Sequence, residues 1–265
     1  MLRVELRTQF ARVRTVLALV LLTAIPFVAG LSIASSAGHQ NGTQGGLYGA
    51  SPYSALNHAM ASLAFTMPLL LPVVVSLLAA AIASGDRDWG VLRYLYVAPV
   101  TRTRLLVGKL EAVVVATTAA LGVIVVGGIG VGLALFGWHP FHRIGASSLE
   151  TGDAVGRALL ASGYVLLCML AMAAIAFTLG LWLPRGAEAL AASIGLVVAL
   201  SMLDAQRATH WLVVLFPVHY WQRWTALFEP GGTSGLGMGA AAQVVTVVLC
   251  TAISAVLLRR RDPAA

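Results

Sequence analysis

Asp86, Arg87, Asp88 and Arg93, followed by Arg102, Arg104, Lys109 and Glu111, place three acids and five cations within one short stretch. Ser84–Lys109, SGDRDWGVLRYLYVAPVTRTRLLVGK, is the one long charged segment between two long apolar runs. Its chemistry is charged contact at a membrane surface. Its leucines and aromatics are spaced for a short helix lying there, one that could take a push from another protein. The same charges would also serve to anchor a loop at lipid headgroups. A second candidate is His139-Pro-Phe-His142, an HxxH spacing of imidazoles of the kind that hold a transition metal. Pro140 breaks the helix that would align the pair, and no cysteine joins it. Nucleotide chemistry is not encoded here. Gly108–Lys109 is followed by Leu110, and Thr103 stands where the phosphate-cradling loop G-x-x-x-x-G-K-[ST] needs its first glycine.

The elements that must position these residues are apolar helices. The chain has 265 residues, 59% hydrophobic and 10% charged, against about 25% charged in soluble domains. Thr15 through Gly85, 71 residues, contains no Asp, Glu, Lys or Arg. That pattern fits an all-α integral membrane protein, in which each crossing takes about 20 apolar residues. Six transmembrane helices are expected at about 15–35, 59–83, 110–136, 157–183, 188–204 and 239–258, in a single domain over 1–265. Thirteen of the 17 Lys and Arg residues then lie on one side, in 1–14, 84–109, 184–187 and 259–265. Arg143, Arg157, Arg207 and Arg223 lie on the other. The positive-inside rule puts both termini and the 84–109 segment in the cytoplasm of a multi-pass protein of the cell (plasma or inner) membrane. The net charge of +7 is thereby explained without nucleic acid, because the cations flank apolar spans.

Residues 1–14 carry Leu2, Leu6, Phe10 and Val13 on one helical face, with Arg3, Arg7 and Arg14 opposite, as in an interfacial amphipathic helix. Pro68 and Pro72 predict a kink in the second span. Gly128 and Gly132 form a GxxxG spacing in the third, which favours close helix packing within the molecule over a dimer seam. Trp211–Trp224, WLVVLFPVHYWQRW, is too short to cross and is expected as a re-entrant or interfacial hairpin on the outer face. All six histidines, His39, His58, His139, His142, His210 and His219, are expected outside. Glu111, Glu188 and Asp204 fall at span ends. Cys168 and Cys250 lie in apolar runs and read as inert small hydrophobes.

Asp86-Arg87-Asp88-Trp89-Gly90-Val91-Leu92-Arg93-Tyr94-Leu95, then Pro99-Val100-Thr101-Arg102, then Leu105-Leu106-Val107-Gly108-Lys109, resembles the cytoplasmic signature of ABC-2-type ABC transporter permeases. Asp86 stands where that family usually has Glu, and Val91 where it usually has Thr. The motif covers about 25 residues. The six spans, the interfacial N-terminal helix and the hairpin before the last span extend the likeness over the whole length. The resemblance implies a membrane permease subunit of an ATP-driven transporter, exporting an amphipathic or lipid-like compound such as a drug, antibiotic or lipid. It implies two nucleotide-binding ATPase subunits that hold ATP and Mg, and a second permease, identical or paralogous. This chain would itself be no enzyme and would bind no cofactor. By the same likeness, Asp86, Arg87, Asp88, Trp89, Gly90, Leu92, Arg93 and Tyr94 lie on a coupling helix docked to the ATPase. Pro99, Thr101, Arg102 and Lys109 would fix the return into the third span.

Two other classes compete. An ion-driven secondary transporter would need buried acids or an internal repeat. An intramembrane metal- or haem-binding subunit would use the histidines, with His139 and His142 the nearest to a pair.

Overall fold

The computed structural model describes Arg7 and residues 11–36, 46–88, 102–143, 147–204, 206, 216–229 and 235–260. Their regular structure is helical, apart from an isolated bridge between Phe141 and Leu149. The long helices are α1 (Val13–Ser36), α2 (Ala55–Thr66), α3 (Leu70–Asp88), α4 (Arg102–Leu135), α5 (Thr151–Trp182), α6 (Gly186–Asp204) and α7 (Leu236–Arg260). A 3-10 helix, Pro217–Phe228, precedes α7. Five of these helices are long and apolar enough to cross a membrane, and the crossings number six if α2 and α3 form one bent span. This is the architecture of a multi-pass membrane protein.

The α2–α3 pair bends by 66° at residues 67–69. The cause is local. Pro68 and Pro72 lack the N–H groups that would bond the carbonyls of Ala64 and Pro68, so the helical ladder is interrupted twice within one turn. Thr66 Oγ1 bonds back to the carbonyls of Ser62 and Leu63, at 3.0 and 3.2 Å. The predicted kink is therefore present, and it is sharp enough to make two helices of one.

Helix ends differ from the hydropathy reading in one direction. α4 starts at Arg102, not near 110, and α5 at Thr151, not near 157; α3 runs on to Asp88. Hydropathy stops where charge begins, but the backbone ladder carries on into the polar zone. At 1.5 Å per residue, the 34 residues of α4 span about 51 Å, well beyond a hydrocarbon core of about 30 Å. α4 ends at Phe136–Gly137, where both N–H groups bond to the carbonyl of Gly132 and Gly137 takes φ +76°. That left-handed position favours glycine.

The core lies between α2, α3, α4 and α5. Gly128 and Gly132 seat α2 on α4. A Cβ at Gly128 would come within 2.8 Å of the Ala59 Cα, and one at Gly132 within 2.6 Å of the Ala55 Cα. The GxxxG spacing thus serves packing inside the molecule. α1, α6 and α7 sit at the periphery, with most of their apolar surface facing outward.

Candidate functional site

The charged 84–109 segment is bracketed by α3 and α4. Residues 89–101 lie outside the described residues, and with them the expected roles of Trp89, Gly90, Leu92, Arg93, Tyr94, Pro99 and Thr101. Asp86, Arg87 and Asp88 end α3, and Arg102 opens α4. The two helices are tied where the segment leaves and returns. Lys109 is 4% exposed, and its Nζ donates to the carbonyl of Ile82 at 2.7 Å. A buried ammonium needs such an acceptor, because an unpaired charge in an apolar setting is strongly disfavoured. Leu106, one turn earlier on the same helix, is also buried. The first turns of α4 are thus fixed against α3, and Lys109 occupies a helix where a loop return was expected. Glu111 is exposed beside it.

The opposite end of the molecule carries a second set of polar ties. Ser54 caps α2: its hydroxyl accepts from the Leu56 N–H at 3.3 Å and donates to the carbonyl of His139 at 2.8 Å. The Ala55 N–H donates to the carbonyl of Gly137. Asn57 holds the backbone of His142 from both sides. Its Nδ2 donates to the His142 carbonyl at 2.8 Å, and its Oδ1 accepts from the His142 N–H at 3.0 Å. Tyr53 stacks on the His142 ring at a centroid distance of 4.0 Å. His139 and His142 are therefore engaged through their backbone and a ring face. Among the described residues, no group of three or more His, Cys, Asp or Glu could hold a metal ion.

Sequence reasoning placed His58 outside, at a span end. In the structure it is buried within α2 and packed against the middle of α1. Its Nε2 donates to the carbonyl of Pro26 at 2.9 Å, and its Nδ1 meets the Ser51 hydroxyl at 2.9 Å. A carbonyl only accepts, which assigns the ring proton to Nε2 and leaves Nδ1 to accept from Ser51. No motif marks this residue. The one sequence hint is its position three residues inside a Ser-capped apolar helix.

The 3-10 helix before α7 covers the same end. A 12-residue 3-10 helix is unusual, since its hydrogen bonds are poorly aligned. Side chains from three helices and from the α2–α3 bend hold it. Arg157 Nη1 donates to the carbonyl of Leu227 at 2.7 Å, and the Tyr164 hydroxyl to that of Tyr220 at 2.9 Å. Gln243 Nε2 donates to the carbonyl of Pro217 at 2.8 Å. His219 Nδ1 lies 2.6 Å from Asp204 Oδ1, at the end of α6. Trp224, fully buried, donates from Nε1 to the sulfur of Met67 at 2.9 Å, at the bend between α2 and α3. The first residues of the expected hairpin, 211–215, lie outside the described residues. So do His39, His210 and most of the 1–10 segment.

The comparisons with known proteins bear on this arrangement in one respect. No curated protein matches the chain. The family model described as "Protein of unknown function (DUF2705)" matches residues 17–264, nearly the whole length, and the chain belongs to that family.

Proposed function

We propose that this chain is the membrane permease subunit of an ATP-driven transporter of the ABC-2 type, most of all on its charged 84–109 segment. Six crossings place both termini and that segment in the cytoplasm. Residues 86–96, from the last residues of α3 onward, present the coupling surface that docks on a partner ATPase, with Asp86, Arg87, Asp88 and Arg93 in charged contact. Trp89, Gly90, Leu92 and Tyr94 complete that surface, and Pro99, Thr101, Arg102 and Lys109 fix its return. ATP and Mg belong to the partner, and this chain hydrolyses nothing. Two ATPases serve two permeases, and the cargo is amphipathic or lipid-like, because the spans offer an apolar path. Residues 1–14 form an interfacial helix, and 211–224 a re-entrant or interfacial hairpin on the outer face.

One observation gives the reading its physical support. α3 and α4, the two helices that flank the charged segment, are tied together by the buried Lys109–Ile82 bond. A push on the 89–101 segment would reach a packed helix pair, and through it the bend at 67–69. The test is gentle-detergent purification of the tagged chain with identification of what accompanies it, beside a variant carrying Asp86→Ala, Asp88→Ala and Arg93→Ala. A nucleotide-binding protein that co-purifies with the parent and is lost from a folded variant supports the reading. A monodisperse parent that brings down no ATPase overturns it.

A further inference from the structure

We infer that the buried bond between His58 and the Pro26 carbonyl is the pivot about which α1 swings against the rest of the molecule. Three observations meet there. First, α1 is attached along a narrow seam: Thr15, Ala18, Leu22, Pro26 and Gly30 are its buried residues, at spacings of three and four, and no residue beyond Gly30 in the described part of α1 is buried. On either side of the seam Val16, Leu17, Val20, Leu21, Phe27 and Val28 face outward. A helix held by one stripe can rotate about it; a helix held on two faces cannot.

Second, α1 is weak at the outer end of this seam. Pro26 has no N–H, so the Leu22 carbonyl loses its helical donor.

Third, the partner at that point is rigid. His58 is 1% exposed and bonded through both ring nitrogens, to Pro26 and to Ser51. It sits in the half-helix that Ser54 and Asn57 clamp to the 137–142 loop. Its ring also lies 5.5 Å from that of Phe136. The seat is close: a Cβ at Gly30 would meet Val131 Cγ1 at 2.6 Å and His58 Nε2 at 3.3 Å. His58 is therefore a positioning residue. It acts by fixing where α1 turns. This role does not depend on the ATP-driven reading, because it concerns the chain by itself.

The test uses spin labels at Leu17→Cys on α1 and Val107→Cys on α4, both outward-facing positions, in a Cys250→Ala background with the buried Cys168 retained. The distance distribution between them is read in the purified full chain. His58→Leu removes the bond at similar volume, and we expect about a twofold broadening of the distribution. Faster amide exchange over Phe27–Leu31, by about tenfold, accompanies it. His58→Gln has one amide donor for Pro26 and one oxygen acceptor for Ser51, so it restores the native width. Should His58→Leu fail to fold, Ser51→Ala, which frees one side of the ring, gives a smaller broadening in the same direction. A folded His58→Leu or Ser51→Ala chain with the native distribution overturns the pivot. So does a His58→Gln chain that behaves like His58→Leu.

Discussion

Asn57 carries the most consequence per atom among the polar side chains at the end that holds the 137–142 loop. It is fully buried, and its amide satisfies both the N–H and the carbonyl of His142. Asn57→Ala leaves both backbone groups without that partner. We expect a loss of about 1–3 kcal/mol of stability, the usual cost of stranding a buried polar group. Asn57→Asp keeps the acceptor for the His142 N–H but puts an oxygen in place of the donor to the His142 carbonyl, so it rescues little. Thermal unfolding in detergent, with the two variants beside the parent, measures both. Lys109 invites a similar comparison where α3 and α4 flank the charged segment. Lys109→Met keeps the stem and removes the donor to Ile82. Under the proposed function it would leave ATPase co-purification intact while lowering transport-coupled ATP hydrolysis, because it loosens α4 from α3 without altering the docking residues. Equal ATPase activity in the two complexes would exclude that role.

At the scale of elements, the glycines of α4 separate packing from lipid contact. Gly128 and Gly132 lie against the backbone of α2, whereas Gly122 and Gly130, on the same helix, have nothing within 4 Å of an added Cβ. Gly128→Leu and Gly132→Leu should force α2 off α4 at a cost of about 1–3 kcal/mol or more each, the range for overpacking. Gly122→Leu and Gly130→Leu should be tolerated. Size-exclusion profiles and unfolding midpoints of the four variants decide it, and the contrast fails if all four behave alike. The α2–α3 bend was legible in Pro68 and Pro72, because proline acts through its own missing N–H. The 3-10 form of 217–228 was not. It is decided by Arg157, Tyr164 and Gln243 reaching its carbonyls from helices 26 to 70 residues away in sequence. Nothing in its own sequence encodes those bonds.

For the whole molecule, the periphery formed by α1, α6 and α7 is where lipid or a second subunit must lie. On α7, Val244, Val245, Val248, Leu249, Ile253 and Val256 are exposed, while Gln243 is fully buried. Photolabelling with a membrane-soluble carbene should therefore mark the former set and spare Gln243. On α6, Ala187, Ala191, Gly195 and Ala199 recur every fourth residue and all face outward. Small side chains in such a row let two helices approach closely in lipid. If the proposed permease pairs with an identical copy across this row, Gly195→Cys will form a disulfide-linked dimer on mild oxidation in membranes. Val248→Cys on α7 will not. Equal cross-linking at both positions would indicate random collision.

The amino-acid sequence by itself determined that the chain is helical and membrane-spanning, roughly where its helices run, and where one of them must bend. These properties follow from local causes: long uncharged apolar runs, the side on which cations gather, and the missing N–H of proline. It also marked Gly128 and Gly132 as a close-packing pair. Only the tertiary structure decided which polar groups meet. His58 had no pattern to distinguish it from five other histidines, yet it faces the Pro26 carbonyl from 32 residues away. Asn57 and Ser54 reach a loop 85 residues on, and Lys109 reaches back to Ile82. Each of these bonds is made because a buried donor must find an acceptor in a medium without water. Which acceptor it finds depends on helix packing, and helix packing is a property of the assembled chain.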